Sequence, residues 1–111
     1  MDRVDEKFLA DVTHQIEVHL SDSDFNVTAL QENIGISNKQ LYRKIKQLTG
    51  KTPVEYLRYV RLHQAASMLR EGKYTVSEVM YMVGFSKPGY FSKCFQQAYG
   101  LTPSEYCKET S

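Results

Sequence analysis

Tryptophan is absent from this 111-residue sequence, and there are only three prolines and two cysteines. Cys94 and Cys107 have no Cys or His neighbours at zinc-site spacing, so we expect reduced thiols and neither a metal nor a cofactor. No apolar run has the length of a membrane span, and the acidic, mixed opening MDRVDEKFLA is unlike a signal peptide. These absences favour a cytoplasmic protein of about one domain.

The formal net charge of +1 is the average of unlike segments. Residues 1–25 hold seven acids against two bases, whereas residues 37–73 hold nine bases against two acids. Residues 74–111 are balanced, with three bases and three acids. A basic segment beside an acidic one indicates a polyanion as the partner of the basic part.

Helix start and stop signals recur along the chain. A capping box places a Ser or Thr three residues before a Glu or Gln, and glycine ends a helix in the left-handed conformation. The boxes are Ser37–Gln40, Thr52–Glu55, Thr75–Glu78 and Thr102–Glu105, and the terminating glycines are Gly35, Gly50, Gly72, Gly84 and Gly100. These signals predict seven helices and no strand, at about 5–20, 27–34, 38–49, 53–71, 76–83, 87–99 and 103–108.

The second half of the chain repeats the first. FNVTALQENIGIS (25–37) is echoed 49 residues later by YTVSEVMYMVGFS (74–86), and further downstream Leu41 and Ile45 correspond at a spacing of 50 to Phe91 and Phe95. Each copy is a short helix, a turn with glycine and a longer helix, which is helix-turn-helix geometry. The helix predicted at 53–71 has apolar residues on more than one side, Val54 among them, which is typical of a helix between two bodies.

The sequence resembles the DNA-binding domain of the AraC family (AraC/XylS type) of bacterial transcription regulators. The first unit and linker helix match over GISNKQLYRKIKQLTGKTPVEYLRYVRLHQAASML, and the second unit matches over VSEVMYMVGFSKPGYFSKCFQQAYGLTPSEY. The resemblance implies an all-α fold of about seven helices, with two helix-turn-helix subdomains joined by a long central helix. We expect one DNA-binding domain over 1–111, divided into subdomains at 5–52 and 73–111 and a linker helix at 53–72.

The acidic opening, DEKFLADVTHQIEVHLSDSDF, looks like the lead-in helix of members attached to hybrid two-component sensors. One departure from the family pattern is Met80, where such domains commonly have alanine. Because nothing here corresponds to a sugar-binding or receiver domain, we expect an effector piece of a larger regulator. Its expected partners are double-stranded DNA, the sensor or receiver domain of the full-length protein, and RNA polymerase during activation.

The predicted helix at 38–49 has Lys39, Arg43 and Lys46 at i, i+4 and i+7, opposite the apolar Leu41 and Ile45. We call these three residues the basic stripe. The resemblance also implies DNA contacts at Lys39, Tyr42 and Arg43. Arg43 is the best single candidate for base readout, since a guanidinium can bond guanine O6 and N7 together.

In the second unit the stripe positions become Gly89, Lys93 and Gln96, so most of the charge is lost. We therefore predict that the first unit supplies most of the affinity and the base readout, while the second positions the protein on DNA. Gly89 has two readings of equal weight: its backbone approaches DNA closely, or it is tolerated near a frayed helix start. The candidate DNA-binding residues are Lys39, Gln40, Tyr42, Arg43, Lys46, Lys87, Pro88, Gly89, Tyr90, Ser92 and Lys93.

Two recognition helices on one face of a duplex enter major-groove segments about one turn, roughly 34 Å, apart. The expected DNA site is therefore two unlike half-sites in tandem within about 20 base pairs. An enzyme is disfavoured, because His14, His19 and His63 lack metal-like or nucleophilic partners and Cys94 lies on an inward face. The stronger alternative is a helical protein–protein docking module that uses the acidic first helix. The aromatic residues, which occur at helical spacing, are expected in the core.

Overall fold

The computed structural model describes residues 2–110, which form seven α-helices and no strand. The all-α prediction is confirmed, and three of the seven helices have the predicted bounds. The helices are α1 (Arg3–Val18), α2 (Val27–Ile34), α3 (Asn38–Thr49), α4 (Pro53–Glu71), α5 (Val76–Met82), α6 (Pro88–Tyr99) and α7 (Pro103–Thr110).

All four predicted capping boxes are formed. In the box before α4, for example, the Glu55 backbone N–H donates to Thr52 Oγ1 at 3.2 Å, and the Thr52 N–H donates to the Glu55 carboxylate at 2.8 Å. The other three boxes have the same pair of bonds. The five predicted terminating glycines all have positive φ, between 72° and 86°. Local sequence therefore sets most helix ends.

The first helix differs from its predicted bounds of 5–20. It begins earlier because Asp2 caps it, with its carboxylate accepting from the Asp5 N–H at 2.8 Å. It ends at Val18, and the ring of His19 stacks on Phe25 with centroids 4.5 Å apart. Leu20, which continued the apolar spacing of this helix in the sequence, packs instead against the core of the second unit. A tertiary contact here overrides the local pattern.

The chain divides into two compact units. Unit 1 takes the chain up to His19 together with residues 24–60, and unit 2 takes residues 20–23 together with the chain from Arg61 onward. Each unit therefore contains one of the two sequence repeats. The boundary falls within α4, and the short 20–23 segment between α1 and α2 belongs with unit 2.

The core of unit 1 is built from α1, α2, α3 and the first half of α4. Five of its side chains are completely buried: Val12, Ile16, Leu30, Leu41 and Ile45. The α4 helix adds Tyr56, Leu57 and Val60. The Tyr56 hydroxyl lies 2.8 Å from Thr13 Oγ1, so α1 and α4 share a hydrogen bond at the edge of this core. Burying Leu41 and Ile45 fixes which face of α3 is exposed.

The core of unit 2 is richer in aromatic rings. Phe85, Phe91 and Phe95 are buried, with centroids 5.1 Å apart for Phe85–Phe91 and 6.1 Å apart for Phe91–Phe95. The expectation that aromatic residues form the core is confirmed for these three phenylalanines. Met80, the departure from the family pattern, is also buried, at 2% exposure.

The expectation that the aromatics form the core is wrong for most tyrosines. Five of them are exposed by 40% or more: Tyr42, Tyr59, Tyr74, Tyr81 and Tyr90. Val54 is also 58% exposed, so it does not belong to a buried side of α4. A tyrosine hydroxyl is readily hydrated, so spacing alone cannot place the ring inside.

Candidate nucleic-acid interface

The α3 helix has one buried face and one basic face. Leu41 and Ile45 are fully buried, whereas Lys39, Arg43 and Lys46 are exposed. A spacing of i, i+4 and i+7 puts these three cations on one side of a helix. The predicted basic stripe therefore exists as a surface feature of unit 1, and Tyr42 lies beside it with half of its surface exposed.

The fourth cation of the segment does not join the basic stripe. Lys44 is half-buried, and its Nζ lies 4.9 Å from the ring centroid of Phe8 on α1. A cation above a ring face is attracted by the ring quadrupole. Two neighbouring residues, Arg43 and Lys44, thus have opposite surroundings: one is directed to solvent and the other packs against the acidic helix.

At its C-terminal end, α3 meets the start of α4. Lys46 Nζ donates to the carbonyl of Gly50 at 3.1 Å, which holds the ammonium close to the helix end. Hydrogen bonds from Thr52 lower the pKa of Glu55, and the charges of Lys46 and Arg58 lower it further. Glu55 is therefore a carboxylate next to the basic stripe and limits the positive potential at that end.

Gln40 has a structural task that the sequence also indicated. Its side-chain carbonyl accepts from the Ser37 N–H at 3.4 Å, which completes the capping box of α3. The side-chain NH2 donors of Gln40 are not used in this cap, and the residue is exposed. Gln40 therefore stays a candidate DNA-binding residue, with hydrogen-bond donors near the start of α3.

In unit 2, the corresponding face of α6 is weakly charged. Lys87, Pro88, Gly89, Tyr90 and Lys93 are exposed, and Ser92 is half-buried. The helix begins with Pro88 at its first position, and the residue before it, Lys87, makes no side-chain cap. Backbone N–H groups in the first turn of α6 are consequently not satisfied by a capping side chain, unlike those of α3.

Two details of α6 concern Gly89 and Tyr90. Gly89 has no positive φ, and a Cβ added there meets nothing within 4 Å, so the fold of the protein does not require glycine at this position. The Tyr90 ring lies with its centroid 5.8 Å from that of Phe85, so an exposed tyrosine is oriented by a buried phenylalanine.

The exposed faces also contain glutamines that were not among the predicted site residues. Gln47 is exposed one turn after Arg43, and Gln96 and Gln97 are exposed after Lys93. A glutamine amide can bond adenine N6 and N7. Gln96 is the residue of the second repeat that corresponds to Lys46 in the first, but the sequence comparison indicated only that the charge is lost there.

The described residues meet the requirements of neither a metal site, nor a disulfide, nor a membrane span. Within residues 2–110, no three His, Cys, Asp or Glu side chains come together so that they could hold a metal ion. Cys94 is buried, Cys107 is half-buried and both are free thiols. His63 is exposed on α4. None of the described helices is long and apolar enough to cross a membrane.

The fold agrees with comparisons to known proteins. Residues 30–109 match the family model described as a helix-turn-helix domain. This match covers most of the chain, so the protein belongs to this family, the AraC-type helix-turn-helix domains. The family is one of DNA-binding transcription regulators.

Two curated relatives are similar over most of the chain. Histidine kinase P4 from Formosa agariphila is 39% identical over 103 residues, which are 93% of this chain and 8% of the kinase. The HTH-type transcriptional activator RhaS of Escherichia coli O139:H28 is 34% identical over 90 residues, or 81% of this chain and 32% of the activator. The chain thus spans less than a tenth of one relative and about a third of the other.

A solved structure gives the likeness in three dimensions. The DNA-binding domain of AdpA, a global transcriptional factor, was crystallised in complex with a target DNA. It is 30% identical to this chain with a TM-score of 0.81, and the alignment covers 91% of this chain and 90% of that domain.

Proposed function

We propose that this domain binds double-stranded DNA sequence-specifically and regulates bacterial transcription. The observation that carries the proposal is the exposed basic stripe on α3, opposite the buried Leu41 and Ile45. The second helix of a helix-turn-helix unit is the one that enters the major groove. The DNA-bound relative AdpA supports the same use of the fold.

In unit 1, Arg43 reads a base pair through its two guanidinium nitrogens, with guanine as the preferred partner. Lys39 and Gln40, near the start of α3, reach base edges or the adjacent phosphates. Lys46 neutralises a phosphate, since its ammonium already lies beside a helix end and is exposed. The Tyr42 ring packs on the sugar–phosphate backbone or on a thymine methyl.

In unit 2, α6 has the positioning task. Lys93 and Lys87 neutralise phosphates, and the hydroxyls of Tyr90 and Ser92 donate to phosphate oxygens. The uncapped first turn begins at Pro88, which has no N–H, and presents the backbone N–H of Gly89 to the same strand. Residues 5–52 and 73–111 thus act as the two DNA-contacting subdomains, with 53–72 as the linker helix.

The DNA site expected from two unlike recognition helices is asymmetric. It consists of two tandem half-sites within about 20 base pairs, since each helix needs its own major-groove segment. In the larger protein, a sensor or receiver domain precedes α1 and supplies the signal, in keeping with the likeness to a histidine kinase. Activation through RNA polymerase, in the cytoplasm, completes the proposed role.

The test is a salt titration followed by a selection. Affinity for a random duplex of about 30 base pairs is measured by fluorescence anisotropy at several salt concentrations. The plot of log Kd against the logarithm of the salt concentration is expected to have a slope of several units. A specific site is then selected from a random pool. Failure to bind at low salt would overturn the proposal, because the basic stripe would then be only a solvated face.

A protein-docking role for α1 is the second candidate. This helix is acidic, and Val4 and Val18 are exposed by 71% and 60%. Exposed valines on an acidic helix suit a partner with basic and apolar side chains. The two roles are separable, because replacing both valines with serine would weaken docking and leave DNA binding unchanged.

A further inference from the structure

Arg61 is a buried arginine in the middle of α4. It is 8% exposed, and its guanidinium bonds two backbone carbonyls that are distant in sequence. One Nη donates to the carbonyl of Asp22 at 2.8 Å, and the other donates to the carbonyl of Gly84 at 3.3 Å. Arg61 therefore joins the 20–23 segment to the turn between α5 and α6, all within unit 2.

The turn at Gly84 is tightly enclosed by the same two elements. Gly84 has φ +86°, and a Cβ added there would lie 2.6 Å from the Leu20 carbonyl oxygen and 2.9 Å from Arg61 Cζ. Its equivalent in the first repeat, Gly35, has φ +82° but a Cβ there meets nothing within 4 Å. The two glycines share a backbone conformation, and only the one in unit 2 is enclosed.

The turn continues directly into the second recognition helix. Phe85, the next residue, is buried, and its ring contacts those of Phe91 at 5.1 Å and Tyr90 at 5.8 Å. Any shift of the Gly84 carbonyl would move Phe85 and, through it, the first turns of α6. The contacts thus lead from Arg61 to an exposed tyrosine of the proposed DNA surface.

A buried ion is a poor way to gain stability, because its desolvation offsets much of what its hydrogen bonds contribute. Burial lowers the pKa of Arg61 below its ordinary value, and the nearby charge of Asp22 opposes that shift. The planar guanidinium instead fixes the relative position of the two carbonyls, because its donors have fixed directions and bond both acceptors at once.

We propose that Arg61 is a positioning residue for the second recognition helix, holding the Gly84 turn against the 20–23 segment so that α6 presents Tyr90, Ser92 and Lys93 at the angle that its phosphate contacts require. The inference rests on the proposed function, since it assumes that α6 contacts DNA. It assigns Arg61 no contact with DNA.

The test compares Arg61→Met, which keeps the buried volume and removes both hydrogen bonds, with Arg70→Met on the same helix. Arg70 is exposed and bonds the Tyr106 hydroxyl on α7 instead of the turn. Binding is measured with the 111-residue protein and a duplex carrying the site selected by the wild type. Each half-site is footprinted, and Lys93→Ala identifies the half-site that unit 2 occupies.

We expect Arg61→Met to weaken specific binding about tenfold, because the phosphate contacts of α6 would be misplaced. Protection should fall only in the half-site of unit 2, and affinity for a random duplex should fall to a similar extent, since phosphate contacts dominate it. Arg61→Lys keeps the charge but lacks the planar guanidinium that bonds two carbonyls at once, so its loss of specific binding should be intermediate. Equal loss in both half-sites, or no loss, overturns the inference.

Amide hydrogen exchange supplies a readout that does not need DNA. Peptides covering 83–87 should exchange faster in Arg61→Met than in the wild type, while those of unit 1 stay unchanged. If the wild type selects no site, the proposed function fails, and exchange still decides whether Arg61 fixes the turn. Unchanged exchange at 83–87 would overturn the inference even if the wild type binds DNA.

A matched pair of glycine variants gives an independent test. Gly35→Ala and Gly84→Ala carry the same left-handed strain, so their difference reports the enclosure by Leu20 and Arg61. Only Gly84→Ala should increase exchange at 83–87 and remove protection from the half-site of unit 2. If each variant had the same effect within its own unit, the enclosure of Gly84 by Leu20 and Arg61 would contribute nothing beyond the left-handed strain.

Discussion

The ammonium of Lys44 lies 4.9 Å from the ring centroid of Phe8, while the adjacent Arg43 on α3 is exposed. One helix thus contains two neighbouring cations with separate tasks. Lys44 packs α3 against α1 inside unit 1, and Arg43 belongs to the basic stripe.

This contrast gives the first prediction. Arg43→Ala should weaken binding to the selected site by about 1–3 kcal/mol, relax the preference at one base pair and leave the melting temperature unchanged. Lys44→Ala, the control, should cost about 0.5–1 kcal/mol of stability through the lost cation–π contact, with unchanged base preference. Anisotropy and thermal denaturation measure the two effects. A change in base preference from Lys44→Ala would contradict the assignment.

Lys93→Ala tests the division of labour between the two units. If Lys93 contacts only phosphate, binding should weaken to a similar extent on all sequences, and the salt slope should fall by about one unit. Salt titrations on the selected and random duplexes would measure this. A loss of base preference as large as that of Arg43→Ala would show that both units read sequence equally.

The hydroxyl pair between α1 and α4 predicts an asymmetric effect on stability. Thr13 Oγ1 donates to the Leu9 carbonyl, so Tyr56 is the donor in the 2.8 Å bond between the two hydroxyls. Tyr56→Phe leaves Thr13 bonded and should cost about 0.5–1.5 kcal/mol, whereas Thr13→Val leaves a buried phenol unpaired and should cost about 1–3 kcal/mol. Denaturant unfolding measures both variants. The double variant should be no worse than Thr13→Val alone.

Gly89→Ala distinguishes the two interpretations of that glycine. Since its backbone is ordinary and the space around it is open, alanine should raise stability by up to about 1 kcal/mol. If DNA binding is unaffected, Gly89 is a tolerated residue near a helix start. If specific binding falls despite the higher melting temperature, the backbone approaches DNA closely. Gly100→Ala, at φ +78°, is the control that should destabilise the protein.

Two capping boxes predict how stability depends on pH. Hydrogen bonds from Thr52 and Thr102 lower the pKa of Glu55 and Glu105, respectively. A carboxylate whose pKa is lowered in the folded state contributes stability. This contribution is fully present above the ordinary glutamate pKa and is lost as the pH falls through the lowered pKa. Replacing both residues with glutamine should therefore flatten the acid side of a plot of melting temperature against pH. Glu32→Gln, in the middle of α2, is the control and should leave that plot unchanged.

Local sequence determined much of this protein. The capping boxes, the left-handed glycines and the repeat of Leu41 and Ile45 as Phe91 and Phe95 predicted seven helices and the exposed face of α3. These features are predictable because a cap or a positive φ involves residues three or four apart. The same locality explains why the basic stripe could be named before its surroundings were known.

Tertiary structure decided the rest. Nothing near Leu20 or Arg61 in sequence indicates that both pack with Gly84, because those partners are tens of residues away. Likewise, only the contact with Phe8 separates Lys44 from its neighbour Arg43, and only packing decides which tyrosines stay in solvent. The sequence itself set where most of the helices begin and end, whereas the placement of the second recognition helix depends on contacts that exist only when distant segments meet.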